Sequence, residues 1–286
     1  MLLPSFEYAR PESTEEAVSL LAGNRNARVL AGGQTLLNAL KLRLVHPDLL
    51  VDVTAIEALR KIELEDDGTL AIGAAVIYDE IAADPLVRRH HPVTAAMSSR
   101  LVDRQVRARG TIGGNVCLAD PTSNFPPLLV ALGASLKVRG PGGSREVAAE
   151  GFYRGPYMTA LGPGELLEAV CLPPLGAGEG VGYESLQVGT DSWALARASA
   201  LIRRDGAEIA EARVALGCGP VPVRQPAMER ALAGGPASEE AIAEAALLAG
   251  EDFDPVGDVH ASAEYRTEMA KLMAARAVAS AVGQGG

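Results

Sequence analysis

The chain carries the segment Val29-Leu30-Ala31-Gly32-Gly33-Gln34-Thr35-Leu36-Leu37, in which an apolar run, two glycines and two polar side chains follow one another. The apolar run predicts a short buried strand. The glycines can take a positive φ or approach a ligand closely, and Thr35 is a candidate N-cap for a helix that begins at Leu36. A strand, a glycine turn and a helix N-terminus direct several backbone N–H groups at one point, which suits a phosphate. An ordinary strand–turn–helix connection accounts for this segment equally well.

A second glycine pair occurs further along the chain, in Thr111-Ile112-Gly113-Gly114-Asn115. A polar turn with Asp120 and Asn124 closes that region. Carboxylate and carboxamide side chains are suitable partners for sugar or ribityl hydroxyls. Two such loops, one for a pyrophosphate and one for hydroxyls, predict a site for a long, doubly phosphorylated ligand.

These motifs resemble those of a known family, the FAD-binding medium subunits of molybdenum hydroxylases of the carbon monoxide, nicotine and xanthine dehydrogenase type. Residues 31–36, with the basic residues Lys41 and Arg43 behind them, resemble the first FAD loop of that family. Residues 111–115, followed by Asp120, resemble the second. Residues 257–266 resemble the segment that opens the family's last helix. The three motifs stand in the family's order and span nearly the whole chain.

The resemblance implies an extended FAD held between two subdomains, rather than on a Rossmann crossover. Residues 31–36 would contact the pyrophosphate, residues 111–115 would hold the diphosphate or ribityl from the other side, and Asp120 would meet hydroxyls. Leu166 and Leu167 match positions at which relatives pack an aliphatic side chain against the flavin. The full expected set of cofactor-binding residues is Ala31, Gly32, Gly33, Gln34, Thr35, Leu36, Leu101, Thr111, Ile112, Gly113, Gly114, Asn115, Asp120, Asn124, Leu166 and Leu167.

Two positions depart from the family pattern. Asn124 stands where many relatives have an aspartate near the flavin ring, and the loss of that negative charge should make the flavin easier to reduce. Glu184 stands where several relatives have a lysine, and Val188-Gly189-Thr190 replaces an arginine that follows it. The second departure argues against NAD as the electron acceptor.

Composition excludes several classes of function. With 36 acidic and 26 basic residues the net charge is −10, which disfavours nucleic acid as a partner because phosphate contacts need a basic face. The longest apolar runs are too short to cross a bilayer, and the N-terminus lacks the features of a secretory signal, so a cytoplasmic location is expected. The three cysteines are widely spaced and are predicted to be buried structural thiols rather than metal ligands. The four scattered histidines are interpreted as surface or structural residues, and no metal site is expected in this chain.

The predicted fold class is α+β. The resemblance implies a two-subdomain FAD-binding domain of the PCMH (vanillyl-alcohol-oxidase-like) type, which we divide into residues 1–53 and 54–174. A Pro- and Gly-rich linker at 175–180 precedes a C-terminal α+β domain at 181–286, with a three-stranded antiparallel sheet and helices. Locally, Ser13 and Glu16 form a capping-box pattern. Gly133 is expected to end a helix that starts at Pro126.

The leading hypothesis is an FAD-carrying electron-transfer subunit of a heteromeric molybdenum hydroxylase. Electrons would leave the substrate at a molybdenum cofactor in a large subunit, cross [2Fe-2S] clusters in a small subunit, reach FAD in this chain and pass to an external acceptor. A dimer of heterotrimers is expected. Because a flavin performs its own redox chemistry, no catalytic residue is expected in the chain itself. A stand-alone FAD-dependent oxidase with the same cradle is the alternative, although it would need a base that the sequence does not offer. A scaffold that has lost its flavin is a third hypothesis, which the intact glycine loops disfavour.

Overall fold

The computed structural model describes residues 3–189 and 192–284. Within them the chain forms two compact units, neither of which is one continuous stretch of sequence. The first contains the chain up to Cys117, together with Ser135–Ala148 and Ala160–Cys171. The second contains Leu118–Ala134, Ala149–Thr159 and the chain from Leu172 onward. Across the described ranges, no helix is both long and apolar enough to cross a membrane.

The first unit begins with a parallel sheet of three strands, β1 (Glu7–Ala9), β3 (Leu49–Asp52) and β2 (Ala27–Leu30), in that spatial order. Helix α1 (Thr14–Gly23) packs its apolar face on this sheet. Ser13 caps α1 by accepting a hydrogen bond from the Glu16 N–H at 3.2 Å, as predicted. The Glu16 carboxylate accepts from the N–H of Glu12 instead of that of Ser13. The predicted capping box is therefore only half formed.

The same unit contains a five-stranded sheet in the order β4-β5-β10-β6-β7. The sequence predicts two hairpins, one about Asp66-Asp67-Gly68 and one about Pro141-Gly142-Gly143. Both are confirmed, because β4 pairs antiparallel with β5 and β6 pairs antiparallel with β7. The strands are β4 (Ile62–Leu64), β5 (Leu70–Gly73), β6 (Ser135–Gly140), β7 (Gly143–Ala148) and β10 (Leu166–Leu172). The helices are α2 (Leu36–Lys41), a 3-10 helix (Glu57–Arg60), α3 (Tyr78–Ala83), α4 (Pro85–His90), α5 (Pro92–Ser99), α6 (Arg104–Arg107) and α7 (Ile112–Leu118).

The second unit is built on an antiparallel sheet with three long strands and a short fourth. The strands, in spatial order, are β11 (Glu179–Gln187), β12 (Ala194–Asp205), β13 (Glu208–Gly217) and β14 (Val223–Arg224). The prediction of three strands did not include β14, which has only two residues and so leaves no alternating pattern. Asp205 pairs with Glu208, which places Gly206, at φ +60°, and Ala207 in the turn. The sequence favours Asp205-Gly206 as the tight turn between these strands, and the observed turn lies one residue later.

The longest helix, α12 (Ala263–Gln284), lies directly on this sheet. A Cβ atom at Gly182 of β11 would come 1.8 Å from the carbonyl oxygen of Ala277 in α12. Alanines on the other contacting positions, such as Ala196 and Ala198 in β12, are fully buried in the same cluster. Small residues on both partners thus allow the helix and sheet backbones to approach closely.

Helix α8 (Phe125–Leu132) is buried on every side in the second unit, as expected for a helix that is apolar all round. It ends, as predicted, at Gly133, which adopts the left-handed conformation with φ +67°. The remaining elements are α9 (Ala149–Phe152), β8 (Tyr153–Gly155), β9 (Met158–Thr159), α10 (Pro226–Leu232) and α11 (Glu239–Ala246). Cys171 and Cys218 are buried free thiols, as predicted, whereas Cys117 is only partly buried. Burial raises the pKa of Cys171 to about 11.

Candidate functional site

The first glycine loop has four consecutive backbone donors with no intramolecular partner. In the described parts of the chain, the N–H groups of residues 32–35 reach no backbone or side-chain acceptor. Gly33 has φ +70°, a conformation that glycine adopts without penalty. Successive free N–H groups around such a residue form a concave site for an anion.

Thr35 occupies the N-cap position of α2, but the predicted cap is wrong. Its backbone is already helical (φ −104°, ψ −46°) and its side chain makes no capping hydrogen bond. A capping side chain reaches the N–H groups of the first turn from an extended backbone, which explains the difference. The Thr35 hydroxyl and the neighbouring N–H groups consequently have no internal role.

The two glycine loops are in contact within the first unit. A Cβ atom at Gly32 would lie 2.1 Å from the carbonyl oxygen of Arg109 and 2.9 Å from the Cα atom of Gly110. These two residues immediately precede Thr111. Only glycine fits at position 32, because any side chain would push the two loops apart.

The second glycine loop forms the start of helix α7, and its N–H groups are hydrogen-bonded to acceptors within the chain. Ile112 donates to the Val76 carbonyl at 3.0 Å and Gly113 donates to the Ala74 carbonyl at 2.9 Å. Gly114 donates to Thr111 Oγ1 at 3.0 Å. A Cβ atom at Gly113 would lie 2.5 Å from the Ala74 carbonyl oxygen, so this glycine permits close packing.

Tyr78 supports the second loop from α3. Its backbone N–H donates to the Gly110 carbonyl at 3.0 Å, and its ring lies where a side chain on Gly110 would be, with Cε2 only 2.7 Å from a Cβ at that position. The Tyr78 hydroxyl is hydrogen-bonded to the Asn115 side chain, and burial raises the pKa of Tyr78 to about 12. The hydroxyl is therefore protonated at neutral pH.

Asp120, in the second unit, is engaged in organising its own loop. Its Oδ1 accepts hydrogen bonds from the Thr122 N–H at 2.8 Å and the Thr122 hydroxyl at 2.6 Å. Its Oδ2 accepts from the Tyr157 hydroxyl at 3.0 Å. Tyr157 and Ala119 both have positive φ, +59° and +50°, and are joined by a backbone hydrogen bond of 2.8 Å. Sequence reasoning missed Tyr157, which carries no local motif.

Asn124, also in the second unit, is held by residues of the sheet. The Tyr183 hydroxyl in β11 donates to Asn124 Oδ1 at 3.0 Å. Arg197 in β12 is 1% exposed and donates from Nη1 to the carbonyl oxygens of Thr122 and Ser123 at 2.6 and 2.7 Å. Its Cζ lies 5.9 Å from the centre of the Tyr183 ring. Neither Tyr183 nor Arg197 was predicted, because both lie in strands whose alternating pattern indicates only a sheet.

The three leucines of the expected set are buried in the first unit, at 4% exposure for Leu101 and Leu166 and 2% for Leu167. Leu166 and Leu167 pair with Arg139 and Val138 in the five-stranded sheet. The side chains of all three leucines can take part in a binding site only through apolar packing.

The sequence that flanks the first loop is basic, although Asp52 pairs in register with Leu30 at the start of that loop. Residues 17–47 include four arginines or lysines and no aspartate or glutamate, although the whole chain has a net charge of −10. Free N–H groups, an uncommitted hydroxyl and a glycine without room for a side chain fit the pyrophosphate of a dinucleotide.

Family profiles match both parts of the chain. The FAD binding domain in molybdopterin dehydrogenase matches residues 4–175, and the CO dehydrogenase flavoprotein C-terminal domain matches residues 182–281. The chain belongs to this flavoprotein family. The resemblance that the three sequence motifs indicated is confirmed, and so is the predicted fold class.

Similarity to individual members of the family extends over the full chain. The flavoprotein is 36% identical to the carbon monoxide dehydrogenase medium chain of Hydrogenophaga pseudoflava over 283 residues, 98% of each chain. It is 32% identical to the nicotine 6-hydroxylase medium subunit of Paenarthrobacter nicotinovorans, over 98% of this chain and 99% of the other. A solved structure of carbon monoxide dehydrogenase from Hydrogenophaga pseudoflava superposes with a TM-score of 0.95 at 38% identity, covering 99% of both chains. The chain is thus an FAD-binding subunit of a molybdenum hydroxylase-type oxidoreductase.

Proposed function

We propose that this flavoprotein binds the pyrophosphate of FAD with the free N–H groups of residues 32–35 and uses the bound flavin to pass electrons on. The observation that carries the proposal is the row of unpartnered donors, fixed by the contact of Gly32 with Arg109 and Gly110. A pyrophosphate would accept these hydrogen bonds and gain from the nearby positive charge. Bound FAD would supply the redox chemistry, while the protein orients it and tunes its electronics.

The proposed FAD-binding residues are the whole expected set, with roles adjusted to the structure. Because the N–H groups of Ile112, Gly113 and Gly114 already donate to acceptors within the chain, these residues would contact FAD only by packing against it. Asn115 would contribute its side chain, oriented by Tyr78. Asp120 has three internal hydrogen bonds and would at most add one further acceptor contact to a hydroxyl. Ala31, Leu36, Leu101, Leu166 and Leu167 would supply apolar surface.

The flavoprotein is proposed to work in a complex with a large molybdenum-cofactor subunit and a small [2Fe-2S] subunit, as a cytoplasmic dimer of heterotrimers. Relatives of the same length are named medium chains or medium subunits, which supports a role between a larger and a smaller chain. Electrons would enter from the iron–sulfur subunit and leave to an external acceptor. The proposed domain roles follow the sequence: residues 1–53 and 54–174 for FAD, 175–180 as linker and 181–286 as the C-terminal domain.

The test compares Gly32→Ala with Gly23→Ala, each co-expressed with the partner chains. A Cβ atom at Gly23 would meet nothing within 4 Å, so this variant controls for the mutation itself. Wild type and Gly23→Ala should be yellow and release equimolar FAD on acid extraction, while Gly32→Ala should release little. Circular dichroism of each purified complex establishes whether the chain is folded. A wild-type complex that is folded, colourless and unable to take up added FAD would contradict the proposal, and dioxygen-dependent substrate turnover by the isolated chain would favour the stand-alone oxidase.

A further inference from the structure

Val102 adopts a backbone conformation that a β-branched residue normally avoids. Its φ is +43°, which lies in the left-handed region, where the Cβ atom approaches the backbone too closely for most L-residues. Among the described residues, Val102 is the one β-branched residue with a positive φ. Its side chain is 38% exposed, so its own burial offsets little of the strain. A strained residue persists only where the surrounding structure holds it.

The Arg107 side chain holds the two peptide groups that flank Val102. Its Nη1 donates to the carbonyl oxygens of Leu101 and Val102, in both cases at 3.0 Å. One carbonyl precedes the Cα atom of Val102 and the other follows it, so fixing both planar peptide groups restricts φ and ψ of that residue. The Nε atom of Arg107 lies 3.5 Å from Asp79 Oδ1 in α3, and the arginine side chain is only 21% exposed. Arg107 therefore connects α3 to the strained residue.

Arg107 is also close in the chain to the residues that contact the first glycine loop. It is the last residue of α6, and the Gly110 N–H donates back to the Val106 carbonyl of that helix at 2.6 Å. The Arg109 carbonyl oxygen and the Gly110 Cα atom are the atoms that leave no room for a Cβ atom on Gly32. All of these residues belong to the first unit. A change in the conformation that Arg107 holds would therefore be transmitted through α6 to the backbone at Gly32.

We propose that Arg107 is a positioning residue for the FAD site, which raises the affinity for FAD by holding the strained Val102 and, through α6, the contact between Gly110 and Gly32. The inference rests on the proposed function, because the affinity concerned is that of the N–H groups of residues 32–35 for the pyrophosphate. Donors that already point at one place bind an anion more tightly than donors that the ligand must first order. Because Val102 is the source of the strain that Arg107 opposes, the effects of substituting the two residues should be coupled.

The first test is the FAD dissociation constant of Arg107→Leu in the whole complex, depleted of FAD and titrated with it. The constant should rise about tenfold, because the donors of the first loop lose their fixed orientation. Arg88→Leu is the matched control, since Arg88 Nε also donates to a carbonyl, that of Ala82 at 2.8 Å, but Ala82 has no positive φ. It should bind FAD as wild type does. Circular dichroism establishes that each variant is folded.

A double-mutant cycle with Val102→Gly separates this role from an ordinary structural contact. Glycine adopts a positive φ without penalty, so Val102→Gly alone should raise the urea midpoint of the complex and leave the FAD affinity unchanged. Its control is Val256→Gly, at a valine that is 78% exposed and has no positive φ, which should not raise the midpoint. When Val102→Gly is combined with Arg107→Leu, the dissociation constant should return to within about threefold of wild type, because the backbone no longer has to be held.

Two results of these titrations would overturn the inference. One is a folded Arg107→Leu complex that binds FAD as tightly as wild type. The other is a loss of affinity in Arg107→Leu that Val102→Gly does not restore. If Arg107→Leu does not fold, a urea midpoint of Val102→Gly no higher than that of wild type shows that there is no strain to hold, and overturns the inference instead. A wild-type complex that takes up no FAD is a separate outcome, which overturns the proposed function.

Discussion

Gly32-Gly33 and Gly113-Gly114 lie in the same unit and have similar polar neighbours, yet their backbone N–H groups are in opposite states. Those of residues 32–35 have no acceptor in the described parts of the chain, whereas those of Ile112, Gly113 and Gly114 are all paired. The first loop offers donors to a ligand, and the second lets helix α7 approach Ala74. A glycine pair can therefore mean either free donors or close packing, and only the hydrogen-bond partners distinguish the two.

The largest expected effect is on folding at the second loop. In Gly113→Ala the new Cβ would lie 2.5 Å from the Ala74 carbonyl oxygen and 2.6 Å from its Cβ. Overpacking of this kind lowers the free energy of unfolding by about 1–3 kcal/mol, measurable by urea denaturation of the FAD-free chain. The helical control Gly23→Ala should be at least as stable as wild type. Equal stability of Gly113→Ala and wild type would remove the packing role of the second loop.

Thr111 and Thr35, one in each glycine loop, are expected to differ in the same way as the loops do. Thr111→Val removes the Oγ1 that accepts from the Gly114 N–H and should lower the free energy of unfolding by about 0.5–1.5 kcal/mol, the usual contribution of one hydrogen bond, because Gly114 itself is exposed. Thr35→Val removes a hydroxyl without an internal partner and should leave the free energy of unfolding unchanged. It should instead weaken FAD binding about fivefold, corresponding to ~1 kcal/mol. Titration of the FAD-free variants with FAD, beside urea denaturation, measures both quantities, and a reversal of the two outcomes would contradict the assigned roles.

Tyr78→Phe should have an intermediate effect. It removes the hydroxyl bonded to the Asn115 side chain and keeps the ring that packs on Gly110. We expect a loss of about 0.5–1.5 kcal/mol in the free energy of unfolding. Circular dichroism of the bound flavin should also change, because Asn115 loses its orientation. An unchanged flavin spectrum together with unchanged stability would show that Tyr78 supports the loop through its ring alone.

The smallest expected effect is on the free energy of unfolding at acid pH. The Arg145 guanidinium, hydrogen-bonded to Glu165, is the main cause that holds the pKa of that carboxyl below its usual range. A lowered pKa contributes stability above the ordinary glutamate value, and this stability is lost as the pH falls through the lowered one. Glu165→Gln should remove that pH dependence below about pH 4.5, with an effect under about 1 kcal/mol because the pair is partly solvated. Since neither glycine loop contains a titratable side chain, the differences between the loop variants should not vary with pH in the same titration.

Periodicity and turn residues predicted the elements that local sequence controls. The strand before the first loop, both hairpins of the five-stranded sheet and the end of α8 at Gly133 all follow from patterns within a few residues. Helix α7 was missed because consecutive glycines disfavour a helix, and its packing against Ala74 overrides that preference. The Thr35 cap was predicted from residue type, whereas the backbone angle that decides it is set by the contact between the loops.

The residues that hydrogen-bond to the loop of Asp120 and Asn124 could not be predicted, because they lie far from it in the sequence. Tyr157 is 37 residues from Asp120, and Arg197 is 75 residues from Thr122. No local pattern indicates which of the tyrosines and arginines will meet a given loop. The resemblance to known flavoproteins supplied the candidate residues, but not the hydrogen bonds that hold them.

The interleaving of the chain has a consequence for dividing this protein. The backbone passes between the two compact units five times, so a break between β10 and β11, in the proposed linker, would not release two finished halves. The C-terminal fragment would lack helix α8, and Arg197 would lose the carbonyl oxygens of Thr122 and Ser123 that accept its hydrogen bonds. A split gene or a protease cut at that point would yield fragments that must reassociate before the sheet of β11 to β14 regains its native core.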